Sequence, residues 1–96
     1  MLKFTIKDAL EIIEKVEAFE IGADFTTILQ NEKFNLYIFD CHDSDEYICI
    51  LSERDDNKDT MFDKTKRIIS FDISIFLKTR YEIKKEIKEN IIEAVF

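Results

Sequence analysis

Residues 40–47 read Asp-Cys-His-Asp-Ser-Asp-Glu-Tyr. A thiol and an imidazole stand side by side among the carboxylates of Asp40, Asp43, Asp45 and Glu46. Such types can hold a metal, form a Cys–His nucleophile or meet a basic partner. A structural zinc site needs four Cys or His ligands, paired at spacings such as C-x2–4-C. Here Cys41 and His42 are adjacent, Cys49 is the other cysteine, and His42 is the sole histidine. Adjacent residues on a strand point to opposite faces. A turn over 42–45 pairs Asp40 with Tyr47 and Ile38 with Cys49, which sets Cys41 and Cys49 on opposite sides of the sheet. A slip of one residue would bring them to the same side. Calcium fares no better. Asp55, Asn57 and Asp59 open like an EF-hand loop, but Thr60 replaces the turn glycine and Lys66 the bidentate glutamate.

Nucleophilic catalysis needs converging side chains and an oxyanion hole. The chain has no G-x-S-x-G, no glycine-rich phosphate loop and no H-x-E with C-x-x-C. With one glycine, Gly22, backbone can approach a phosphate closely in at most one place. The expectation is a non-enzymatic protein with no cofactor and no metal. Taken singly, each residue has a plain structural role. Cys49, between isoleucines, reads as a small core residue. Asp43 and Asp45 read as turn formers.

The collective charge is not explained that way. Residues 40–63 hold nine acids against two bases, a net −7 that equals the net charge of the whole chain. The acids are Asp40, Asp43, Asp45, Glu46, Glu53, Asp55, Asp56, Asp59 and Asp63. Residues 1–39 sum to −3 and residues 64–96 to +3. A field this polar draws in basic partners and repels nucleic acid and anionic membranes. No apolar run approaches the roughly 20 residues of a membrane span, and the N-terminus lacks a signal-peptide core. A cytoplasmic protein is expected.

The elements that must position these residues follow from periodicity. Thr5 and Asp8 form a capping box, and Ile6, Ala9, Leu10, Ile13 and Val16 recur at helical spacing, which predicts a helix over 5–20 closed near Gly22. Strands are predicted over 25–29, 33–41 and 46–52, with turns at 30–32 and 42–45. A polar stretch over 53–67 has room for a short edge strand near 60–62. Residues 69–74 alternate strictly, so one face is buried and the other wet. Phe34, Leu36 and Ile38 alternate with Tyr37 and Phe39, which marks an inner strand apolar on both faces. Thr79 and Glu82 are a second box. Ile83, Ile87, Ile91 and Ala94 then make one stripe of a helix that starts at 79, or as early as 75. The fold class is α+β: a single domain over 1–96 in the order α-β-β-β-(loop)-β-α, its mainly antiparallel sheet packed by the terminal helices. Arg80, Lys84 and Lys88 read as a solvated basic edge.

In size and charge the chain resembles phage anti-defence inhibitors such as anti-CRISPR proteins, and toxin-immunity proteins. That is a resemblance of kind, and it carries no residue across. The acidic field itself points to a protein whose nine acids dock on a basic, nucleic-acid-handling partner and occlude its nucleic-acid site. A different reading is a structural or regulatory homodimer joined through Ile92, Val95 and Phe96 of the apolar C-terminus. A third is a small-ligand or metal-binding domain.

Overall fold

The computed structural model describes residues 2–21, 26–41, 43–54 and 64–96. Thr5 caps the first helix, α1 (Ile6–Ala18), by accepting from the Asp8 backbone N–H, and the Asp8 carboxylate accepts from the Thr5 backbone N–H at 3.1 Å. The box expected from sequence is therefore present. The helix stops short of residue 20. Phe19 is extended, its N–H still bonded to Lys15 O, and it packs against the core. Gly22, expected as the cap, lies outside the described residues.

Four strands follow: β1 (Thr27–Gln30), β2 (Phe34–Cys41), β3 (Glu46–Glu53) and β4 (Arg67–Ser74). They form one antiparallel meander in the order β1-β2-β3-β4, so β2 and β3 are inner strands as their apolar content requires. Asn31 makes the β1–β2 turn. Its Oδ1 accepts from Lys33 N and Phe34 N, and its Nδ2 donates to Asp8 at 2.9 Å, tying the turn to the start of α1. A register shift at Leu51/Ser52 marks a bulge where β4 begins. A 3-10 turn, Lys64–Lys66, directly precedes β4. The edge strand expected near 60–62 falls outside the described residues.

Helix α2 (Arg80–Glu93) starts at the Thr79 cap, whose hydroxyl accepts from Glu82 N at 3.1 Å. The later of the two expected starts is thus the true one. Both helices lie on one face of the sheet, antiparallel to each other. Lys84 and Lys88 of α2 meet Glu17 near the end of α1, while Val95 lies in a groove with Ile6. The core between the layers joins Phe34, Leu36 and Leu51 to Ile12, Val16, Ile87 and Ile91. Burying each such side chain stabilises the fold by about 1.5–3 kcal/mol.

Two expectations need correction. The core face of α1 is Ala9, Ile12 and Val16. Ile6 and Leu10, placed in the core stripe by spacing, are 51% and 61% exposed. They sit on the flank that borders α2, because the row 6, 10, 13, 17 ends in the Glu17 that meets Lys88. Nor is the basic edge of α2 merely solvated. Lys84 donates to Glu17 O at 2.8 Å and stands 5.1 Å over the Phe19 ring, and Lys88 pairs with Glu17 at 3.1 Å. These contacts close the seam between the helices.

Candidate functional site

The β2–β3 register is the one that the turn length demands: Asp40 faces Tyr47 and Ile38 faces Cys49. Cys49 therefore points into the helix-side core, and Cys41 belongs to the opposite face. Both are free thiols. Burial pushes the Cys49 thiol up to about 12, and the Asp72 carboxylate adds to that. A thiol so disfavoured as thiolate is not a nucleophile. Among the described residues no three His, Cys, Asp or Glu side chains gather as a metal site. His42 lies outside the described residues.

The acids divide. Asp43 and Asp45 are exposed on the β2–β3 turn, with Asp40 and Glu46 half-buried where the two strands enter it. These four are brought together at one end of the sheet. Asp45 takes a left-handed backbone, φ 50°, which Asp tolerates better than most residues. Glu53 is not in the group. It ends β3 at the far end of the sheet, some 23 Å away at about 3.3 Å per residue, and its carboxylate accepts from Leu2 N. Asp55, Asp56, Asp59 and Asp63 lie outside the described residues.

The turn has a neighbour that spacing did not reveal. Ile75 N donates to Asp45 O at 2.9 Å, so the β4–α2 loop is stitched to the acidic turn. Directly after it come Phe76 and Leu77, 65% and 88% exposed. Leu77 has φ 58°. A leucine in this region is uncommon and costs about 1–2 kcal/mol relative to the ordinary basins. The next residue, Lys78, is drawn away into a bidentate contact with Glu86 at 2.7 and 2.8 Å. The Thr79 cap then anchors the loop to α2. The result is a tip in which two large apolar side chains project beside exposed carboxylates. One signal for it was present in the sequence: the strict alternation of 69–74 breaks into Ile-Phe-Leu just before a helix cap. Extending the helix back to 75 concealed it.

The C-terminal residues singled out for self-association lie elsewhere, on the helix layer. Val95 packs against the core, whereas Ile92 and Phe96 are 42% and 84% exposed. Among the described residues no helix is long and apolar enough to cross a membrane. Comparison with known proteins finds no matching family model, no matching curated protein and no matching solved structure.

Proposed function

We propose that this chain is a non-enzymatic binding protein that docks the acidic end of its sheet on a basic protein. The observation that supports it is the tip itself, where Phe76 and Leu77 project next to Asp43 and Asp45. Exposed ion pairs contribute only about 0–1 kcal/mol each, so carboxylates alone bind weakly. Apolar anchors inserted in a partner's pocket supply most of an interface's affinity, and a charged rim steers the encounter. The tip has both parts. Its partner has an apolar pocket rimmed by Lys and Arg. Basic surfaces of that kind belong mostly to proteins that handle nucleic acid, so the chain acts as a cytoplasmic inhibitor that occludes a nucleic-acid site.

The test has two steps. Wild-type protein is used as bait in a lysate of its host, beside a bait with Asp43→Lys, Asp45→Lys and Leu77→Gly. A basic protein retained by the first bait and lost by the second is purified and mixed with labelled nucleic acid. The proposal expects the wild-type chain to displace the nucleic acid in proportion to occupancy. Retention of the same proteins by both baits contradicts it, as does binding without displacement.

A further inference from the structure

The helix layer carries a second surface, independent of the sheet tip. Ile6 and Leu10 of α1 are 51% and 61% exposed, and Ile92 and Phe96 of the C-terminal segment are 42% and 84% exposed. Ile92 continues the row 84, 88, 92, which borders α1, just as 6, 10, 13, 17 borders α2. Ile6 shares a groove with Val95, which precedes Phe96 in the chain. In an antiparallel pair that sets Glu17 beside Lys84 and Lys88, Leu10 stands level with Ile92, so these exposed apolar residues flank one seam. Single exposed apolar residues are ordinary, but a contiguous group marks an interaction surface.

Charge along α1 identifies the occupant. On the flank that Leu10 occupies, Lys7 precedes it and Glu14 and Glu17 follow, while Asp8 and Lys15 lie on the other flanks of the helix. A two-fold interface is self-complementary, with residue i meeting j and j meeting i. An axis beside Leu10 sets α1 antiparallel to its copy and places Lys7 opposite Glu14 of the second copy, twice. Leu10 then covers Leu10 at the centre. A parallel arrangement would set lysine against lysine. An anionic membrane would meet Glu14 and Glu17 on the same flank. We infer that the α1–α2 seam is a homodimer interface, with Ile6, Leu10, Ile92 and Phe96 at its centre and reciprocal Lys7–Glu14 pairs at its rim.

The experiment is light scattering over a dilution series, with circular dichroism on every variant. Wild type gives twice the chain mass of 11.5 kDa at the top of the series. Leu10→Glu, at an exposed position, gives a monomer with an unchanged spectrum and cooperative melt. Lys7→Glu and Glu14→Lys each weaken dimerisation by about tenfold or more. Combining them restores it, because the pair is only reversed. A wild-type monomer throughout the series overturns the inference. So does a dimer that survives Leu10→Glu, or a double reversal no stronger than either single change.

Discussion

Asp8 joins three pieces of the fold, and its removal gives a quantitative test of how they are held. The residue is 5% exposed. Its carboxylate accepts from Thr5 N at 3.1 Å, from the Thr5 hydroxyl at 2.7 Å and from Asn31 Nδ2 at 2.9 Å. Asp8→Ala removes all three and leaves the Asn31 amide without that acceptor. Loss of the return half of the capping box costs up to about 1 kcal/mol, since the Thr5 hydroxyl still accepts from the backbone N–H of residue 8. Loss of a hydrogen bond to a charged group costs about 1.5–3 kcal/mol. The sum is about 1.5–4 kcal/mol, and each kcal/mol lowers Tm by about 4–8 °C in a domain of this size. Urea titration and thermal melts measure both. Asp8→Asn keeps the shape and loses the charge, so it falls between. The pH dependence supplies the control. Burial pulls this carboxyl up, but the Thr5 hydroxyl and N–H, the Asn31 amide and the Lys33 charge together hold it below its ordinary 3.8. A depressed carboxyl contributes stability above its unfolded value, and that contribution is lost as pH falls through the folded value. The gap between wild type and Asp8→Asn therefore narrows in acid. If Asp8→Ala unfolds at the wild-type urea midpoint at neutral pH, the linking role assigned to Asp8 is wrong.

Two further outcomes follow from single residues. Leu77→Gly removes a side chain that touches little and relaxes a left-handed backbone, so urea titration should show stability unchanged or raised by up to about 1 kcal/mol, while binding of the captured partner is lost; loss of stability would show that Leu77 serves the fold. Cys49 should resist a thiol reagent at pH 8 in the native protein and react in denaturant, as read by mass spectrometry, because burial holds its thiol near 12; rapid native labelling of Cys49 would place it outside the core.

Local rules made much of this fold legible. The Thr5–Asp8 box, the Asp40–Tyr47 register of β2 with β3, the inner position of β2 and the stripe Ile83, Ile87, Ile91 each depend on neighbours in sequence, and each appears as spacing implied. Other features depend on contacts that spacing does not encode. Ile6 and Leu10 share a helix period with the core residues, but the sheet covers the side of Ala9, Ile12 and Val16 and leaves these two beside the seam with α2. Asn31 reads as a turn residue, yet its amide also reaches across 23 residues to Asp8. The acids of 40–63 form a run in sequence, but an eight-residue strand separates Glu46 from Glu53 in space. Phe76 and Leu77 are held at the tip by Ile75 N–H bonding to Asp45, a contact between segments 30 residues apart.

In the proposed function the tip engages a basic partner through carboxylates that steer and apolar side chains that anchor. The most direct measurement is the association and dissociation rate of the captured partner as a function of ionic strength. Four proteins are compared: wild type, Asp43→Lys with Asp45→Lys and Glu46→Lys, Phe76→Ala with Leu77→Ala, and Asp55→Lys with Asp56→Lys and Asp59→Lys. Wild-type association should slow steeply as salt shortens the screening length to about 8 Å. Reversing the tip acids flattens that slope, and truncating Phe76 and Leu77 speeds dissociation while leaving the slope in place. The last protein reports separately how far the acids beyond Glu53 contribute. Rates and salt dependence unchanged by both sets of tip substitutions would rule out docking through the tip.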